Sequence, residues 1–223
     1  QKKYYVVNNV LETFTSKVGQ YVEIMNLEEF GNALFIDHEI QVAEKDEKIY
    51  SSTFFKSSYD LSKKSNNVAI IGGGDGGVAR ECLENNTNYI DWYELDPEIV
   101  ESCYRHLPKV CSKVKKSNSV NTFWGDAFES IKSIEDSKYD KIFVDLNDDQ
   151  YCIDLARKNM KGLKRILKPG GIITAQVGSK DKKPKQVDNW CKVLEKSFGN
   201  VKISGNYIPS FDCNWNFASS IMK

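Results

Sequence analysis

The sequence predicts an α/β protein built on a doubly wound, mostly parallel sheet and preceded by a small antiparallel β domain, and three observations predict it. From Asn67 onward, short apolar runs alternate with amphipathic stretches, as strands alternate with helices. The first of those runs, Val68 to Ile71, breaks into Gly72, Gly74 and Gly77 at G-x-G-x-x-G spacing, and the next ends in Glu94 about twenty residues on. Ahead of this, up to Asp46, β-branched and aromatic runs are punctuated by turn residues. The expected division is a β domain over 1–45 and a larger domain over 46–223.

In the first part, strands are expected at Tyr4 to Val7, Leu11 to Ser16, Gln20 to Asn26, Ala33 to Ile36 and Glu39 to Ala43. Asn8-Asn9, Gly19, Gly31 and Asp37-His38 separate them. Asp46 then reads as the N-cap of a helix over 46–55, DEKIYSSTFF, with Ile49, Thr53 and Phe54 on one face. In the second part, strands are expected at 68–71, 89–94, 121–124, 141–145, 172–176, 201–208 and 214–222. Helices fall between them at 78–84, 97–106, 127–133, 151–167 and 184–198. Pro97 suits a first helical turn, and KPGG at Lys168 to Gly171 reads as a helix stop. Two strands close the chain with no helix between them, an antiparallel hairpin typical of Rossmann-like, class I methyltransferase-type folds rather than of dehydrogenases.

Composition narrows the function. Basic and acidic residues balance at 31 each, so there is no electrostatic case for nucleic acid or an anionic membrane. The lysines, Lys115-Lys116 and Lys182-Lys183 among them, read as solvated surface. Six cysteines without a C-x-x-C pair and only two histidines, His38 and His106, give no metal cluster. Free thiols suit a reducing, cytoplasmic setting. No apolar run approaches the roughly 18 residues that span a bilayer.

The glycine loop is a crevice for a nucleoside. Gly72 and Gly74 let the backbone turn at once from strand to helix beneath a ligand, and Glu94 can accept hydrogen bonds from both ribose hydroxyls. Asp75 inside the loop is unusual. A carboxylate there repels the phosphates of a dinucleotide, so the ligand is expected to be cationic at this end, as an adenosyl sulfonium carrying an amine is. Ligands of such sheets bind beyond the carboxyl ends of the strands, and each of the first four strands delivers an acid there: Asp75, Glu94, Asp126 and Asp145. Asp126, just ahead of a helix, could equally be its cap.

Attack of an amine on a sulfonium expels a neutral thioether, so no strong acid is required. The amine is protonated at neutral pH and must lose that proton first. Asp145, with Asp148 three residues on, is the candidate base. Tyr50 could orient the amine or pack as a core aromatic. Gln41 and Glu44 would hydrogen-bond a polyvalent amine. Gln20 and Gln176, amides among apolar residues, either meet a polar partner or cap a loop.

At this point the chain resembles the polyamine aminopropyltransferases, the spermidine and spermine synthases, over nearly its whole length. The matching residues are Gln20, GNALFIDHEIQ from Gly31, AEKDEKIY from Ala43, IIGGGDGG, YELD from Tyr93, GDAFE from Gly125, VDLND from Val144, KPGG, Gln176 and IPSF from Ile208. The resemblance implies decarboxylated S-adenosylmethionine as co-substrate, no permanently bound cofactor or metal, methylthioadenosine as product, and a homodimer formed through the small sheet. It implies that Glu94 holds the ribose, Asp126 the adenine amino group, Gln20 the nucleoside or sulfonium side, and Asp75 the ammonium of the aminopropyl arm. Asp145 would be the base, with Asp148, Gln41, Tyr50 and Gln176 on the side of a polyamine acceptor.

The chain also departs from the family. Spermidine synthases usually follow the base with Ser-Ser-Asp-Pro and a Gly-Pro gate, where this chain has Leu146 to Gln150. Ser51 stands where a His or Gln usually follows Tyr50, and Phe211 replaces a tyrosine. Asp145-Leu146 and PSF with Trp215 look more like thermospermine or spermine synthases. The expected acceptor is putrescine, giving spermidine, with spermidine as the alternative acceptor. An S-adenosylmethionine-dependent amine methyltransferase on the same scaffold and a non-catalytic relative are the competing readings. Asp75, which repels the carboxylate of the intact donor, speaks against the methyltransferase.

Overall fold

The computed structural model describes residues 3–223 and places their strands in two sheets. The smaller is antiparallel throughout, with β1 (Val7–Thr15), β2 (Tyr21–Leu27), β3 (Gly31–Ile36) and β4 (Glu39–Ala43) in sequence order. The two strands expected over 4–7 and 11–16 are one. Asn8-Asn9 is not a turn, because register shifts between Val7 and Asn9 and between Val10 and Glu12 absorb the extra residues as irregularities in β1. Tyr4 to Val6 stay outside the strand. Asp37 and His38, at φ 50° and 67°, do form the expected two-residue hairpin turn between β3 and β4.

Residues 47–59 form α1 (Glu47–Tyr59), longer than the sequence reading and turned differently. Its buried face carries Glu47, Ser51, Phe54, Phe55 and Ser58, rather than Ile49 and Thr53. Asp46 sits at the N-cap position, but its side chain caps nothing in the helix. Its φ of −127° and ψ of −1° are not extended, and its carboxylate instead accepts from the Ser210 backbone N–H at 2.6 Å.

The second sheet has seven strands: β5 (Asn67–Gly72), β6 (Tyr89–Glu94), β7 (Val120–Trp124), β8 (Tyr139–Asp145), β9 (Leu167–Gly178), β10 (Lys202–Ile208) and β11 (Cys213–Ile221). Their order is β10-β11-β9-β8-β5-β6-β7. β5 to β9 run parallel, and β11 is antiparallel to both β9 and β10, so the expected closing hairpin is present. Helices α2 (Gly77–Glu84), α3 (Pro97–His106), α4 (Pro108–Lys115), α5 (Ala127–Ile131), α6 (Gln150–Ile166) and α7 (Pro184–Phe198) complete the chain with a 3-10 turn at Pro209–Phe211. The sequence reading missed α4. Pro108 occupies the first turn of this helix, where its lack of an N–H costs nothing. Helix α6 does stop just ahead of KPGG, at Ile166, but KPGG lies inside the following strand rather than before it. β9 already begins at Leu167, and Gly170, at φ 74°, donates its N–H to the Met222 carbonyl at 2.8 Å.

Apolar spacing explains the packing. On α6, Ile153, Ala156, Met160, Leu163 and Ile166 recur at helical period and enter the core with β8, β9 and the Trp190 face of α7. Truncating any of the larger ones would cost about 2–5 kcal/mol. On the opposite side Val22, Ile24, Leu34 and Val42 of the small sheet pack on Ile99, Cys103, Leu107 and Val110 of α3 and α4. This contact hangs the small sheet over the carboxyl ends of β5 and β6. The strand order turns back between β5 and β8, and a crevice opens there.

Candidate active site

The glycine loop begins the site. Gly72 adopts φ 79°, and a Cβ on it would lie 2.4 Å from the Asp145 carbonyl oxygen. Gly73 donates its N–H to that same carbonyl at 3.1 Å, and the Trp92 indole N–H reaches the Gly72 carbonyl at 2.7 Å. The ends of β5 and β8 are thereby laced together. Gly77 serves close helix packing, since a Cβ there would meet Ser51 Oγ at 2.4 Å.

Beneath the loop, a buried ion network ties α1 to α2. Arg80 donates to both Glu47 oxygens at 2.6 and 2.8 Å and to Glu81 at 3.0 Å, and Ser51 Oγ donates to Glu47 at 2.6 Å. A charge so buried is held by its pairing with these carboxylates, although its Nε has no hydrogen-bond partner among the described residues, and losing one carboxylate would be expensive. Nothing in the sequence reading identified this network. Its signal was present in the spacing of Glu47 and Ser51, four apart on a face otherwise lined by Phe54 and Phe55.

The network fixes the helix that carries Tyr50. The Tyr50 ring packs edge-on against Phe54, Phe211 and Phe217, and its hydroxyl donates to Asp145 Oδ1 at 2.6 Å. The ring fills the packing role, and the hydroxyl is spent on the strand-end acid Asp145. Burial raises the Asp145 carboxyl to about 6, moderated by the Tyr50 hydrogen bond, and burial followed by the nearby Asp145 charge pushes the Tyr50 phenol up.

Asp75 and Glu94 stand on the other side of the loop. Burial, then the charges of Asp145 and Glu47, raises Asp75 to about 8, although its Oδ1 accepts from the Gly77 N–H at 2.7 Å. Burial likewise lifts Glu94 to about 7, while its Oε1 accepts from the Asp96 N–H at 3.0 Å. Three neighbouring acids with elevated affinity for protons form a site poised for a cation.

All these groups open into one cavity of about 770 Å³. Gln20, Gln41, Tyr50, Gly72, Gly74, Asp75, Glu94, Asp126, Asp145, Asp148 and Gln176 all line it. Asp126 also caps α5, accepting from the Phe128 N–H at 2.8 Å, so capping and cavity lining coexist. Gln20 lies in the loop ahead of β2 and reaches the cavity because Ser16 closes that loop through its N–H and the Gln20 carbonyl at 2.9 Å. Gln41 Nε2 donates to the Glu39 carbonyl at 3.1 Å. Gln176 meets polar partners on both sides of its amide, donating to the Leu146 carbonyl and accepting from the Trp215 indole N–H at 3.1 Å.

One reading needs correction and another needs an addition. Glu44 does not reach the cavity. It pairs with Lys109 at 2.9 Å and accepts from the Asn32 N–H at 3.4 Å, because it lies just past β4, on the far side of the turn. Lys183 is exposed, as expected, but it also has a partner. Its Nζ lies 3.2 Å from Asp148 Oδ2 and lines the cavity, a placement that local sequence could not reveal because the contact spans 35 residues.

A sequence model of the spermine/spermidine synthase domain matches residues 47–223. A polyamine aminopropyltransferase of Korarchaeum cryptofilum is 29% identical over 215 residues, covering 96% of this chain and 67% of its own. One from Prochlorococcus marinus strain NATL2A is 32% identical over 210 residues, covering 90% of this chain and 72% of its own. Among solved structures, a spermidine synthase in complex with the transition state analogue AdoDATO superimposes with a TM-score of 0.90 at 19% identity, covering 98% of this chain and 75% of that one. The spermidine synthase from Thermotoga maritima gives 0.89 at the same identity and coverage. The structural likeness carries the fold: a four-stranded antiparallel sheet beside a Rossmann-like central sheet.

Proposed function

The chain belongs to the spermine/spermidine synthase family and is an aminopropyltransferase, and from that premise we propose that it moves the aminopropyl group of decarboxylated S-adenosylmethionine to putrescine. The products are spermidine and methylthioadenosine. The observation that carries this reading is the Tyr50–Asp145 hydrogen bond of 2.6 Å set beside Asp75, in a cavity whose acids sit at the carboxyl ends of the first four parallel strands.

On this reading Glu94 takes the ribose hydroxyls, Asp126 the adenine amino group, and Gln20 the nucleoside or sulfonium side. Asp75 takes the ammonium of the aminopropyl arm. Intact S-adenosylmethionine would bring a carboxylate toward Asp75 and Asp145, so the same acids select the decarboxylated form. Asp145 holds the attacking ammonium, oriented by Tyr50, and accepts its proton. The freed nitrogen lone pair forms the new C–N bond as the C–S bond breaks and its electrons pass to sulfur. The thioether leaves neutral, and a lone base suffices. Asp148, Gln41 and Gln176 hold the remainder of the acceptor. The reading also includes a homodimer paired through the small sheet, whose β1 leaves Val7 and Val10 exposed.

The test supplies decarboxylated S-adenosylmethionine with putrescine or spermidine in parallel and reads methylthioadenosine and the polyamine formed by mass. Spermidine from putrescine is expected. Product from spermidine alone would move the acceptor to the triamine. No methylthioadenosine from either amine, with the donor bound, would overturn the transfer.

A further inference from the structure

Eight carboxylate side chains line the cavity, and Lys183 is the one cation that lines it among the described residues. Its position breaks a local rule. Lys183 occupies the N-cap of α7 with no side-chain cap, between Lys182 and Lys185, so positive charge gathers at the end of a helix that favours negative charge. Sites where local preference is overridden without a local gain are where function is to be sought.

The surroundings hold the backbone around this lysine in place. Lys182 Nζ donates to the Phe211 carbonyl at 2.7 Å, Asn214 Nδ2 donates to Asp181 at 3.0 Å, and the Lys180 N–H reaches Asn216 Oδ1 at 2.9 Å. The segment after β9 is thus strapped to the β10–β11 hairpin, and Lys183 is aimed across the cavity mouth. Its partner Asp148 is packed against Gly178, where a Cβ would come within 2.8 Å of Asp148 Oδ2. Only a glycine at 178 leaves room for the carboxylate at this place, within reach of Lys183. The lysine itself is half-exposed and free to leave.

We propose that the Lys183 ammonium is an internal stand-in for the remote ammonium of the acceptor, occupying Asp148 until a polyamine displaces it, and that it thereby sets acceptor affinity and length. This deepens the transferase reading and rests on it. A diamine with one nitrogen at Asp145 presents its other ammonium toward Asp148 and must evict Lys183. A triamine adds a further positive charge on the side where the evicted lysine remains, and is disfavoured more. The exchange of one ammonium for another keeps Asp148 paired throughout, avoiding an uncompensated charge.

The test is Lys183→Met with Lys183→Arg as the charge-retaining control, measured with saturating decarboxylated S-adenosylmethionine and either amine. Removing a half-exposed competitor should lower the acceptor KM about three- to fivefold for putrescine, and more for spermidine. Lys183→Arg should stay near the wild-type value, and the effect should fall on acceptor KM rather than on kcat. An unchanged or raised KM in Lys183→Met, in a protein that turns over, would overturn the inference and leave the transferase reading standing. If the wild-type protein shows no turnover, the transferase reading fails by itself. Calorimetric titration with 1,4-diaminobutane then decides: tighter binding to Lys183→Met supports displacement of the lysine, and equal or weaker binding rejects it.

Discussion

The two halves of the cavity are built by different rules. On the side proposed for the donor, Asp75, Glu94 and Asp126 each accept a hydrogen bond from the backbone N–H two residues further on, at 2.7, 3.0 and 2.8 Å. Each carboxylate is held by its own turn. On the acceptor side the contacts are distant in sequence: Tyr50 to Asp145 spans 95 residues, Trp215 to Gln176 spans 39, and Lys183 to Asp148 spans 35. A donor site held by local turns can stay constant while its neighbour is rebuilt by substitutions scattered along the chain. The comparison teaches that one half of the cavity is held by local turns and the other by the tertiary fold.

The sharpest way to break the comparison is at the point where the halves meet. Asp145→Asn removes the base while keeping the volume, and kcat should fall by about 10²- to 10⁴-fold. Donor binding, measured by calorimetry, should survive because no donor-side turn is touched. Ordinary turnover in this variant would remove Asp145 from the mechanism. A lesser loss is expected for Tyr50→Phe. A hydrogen bond to a charged group is worth about 1.5–3 kcal/mol, so kcat/KM should drop by roughly thirtyfold. The Tyr50 hydroxyl lowers the Asp145 pKa, so its removal should move the acid limb of the pH–rate profile upward from about 6. A loss of rate with an unmoved limb would mean that Tyr50 acts by packing alone.

The same contrast explains what could be read in advance. The glycine loop, Glu94 and the strand-end acids were legible because spacing along the chain fixes their geometry, and the strands from Asn67 onward lay within a few residues of expectation. The hairpin turn at Asp37-His38 was legible for the same reason. The bulged β1 was not, because pairing with β2 overrides the turn preference of Asn8 and Asn9. Asp46 was read as a cap, but the backbone of Ser210, 164 residues away, claims its side chain. Every one of these misses is a long-range contact overruling a local preference.

Donor recognition can be sharpened with Asp75→Asn. Losing the charge opposite the aminopropyl ammonium should raise the KM for decarboxylated S-adenosylmethionine about tenfold. Competition by intact S-adenosylmethionine should strengthen, because its carboxylate meets one less negative charge. Unchanged discrimination between the two donors would refute the argument from charge.

The smallest effect concerns stability, and its sign follows from the elevated proton affinities. Asp75, Glu94 and Asp145 titrate near 8, 7 and 6 in the folded protein, against about 4 for carboxyls in an unfolded chain. Between pH 4 and 8 the folded state therefore binds more protons than the unfolded state, and stability must fall as pH rises through that window. Lys141, buried and lowered to about 8, works in the opposite direction and enters only near the top of this window, so the acids dominate between pH 6 and 8. Without ligand, the melting temperature should be higher at pH 6 than at pH 8, and Asp75→Asn should reduce that difference. At pH 8 the variant should melt roughly 4 °C above the wild type. Its amide can still accept from the Gly77 N–H, so the turn is kept while the buried charge is removed. A donor whose ammonium neutralises Asp75 should stabilise the wild type more at pH 8 than at pH 6, and the variant about equally at both. If Asp75→Asn is instead less stable at pH 8, the carboxylate is held by contacts within its turn strongly enough to offset its burial, and the donor half is no longer a site strained in wait for a cation.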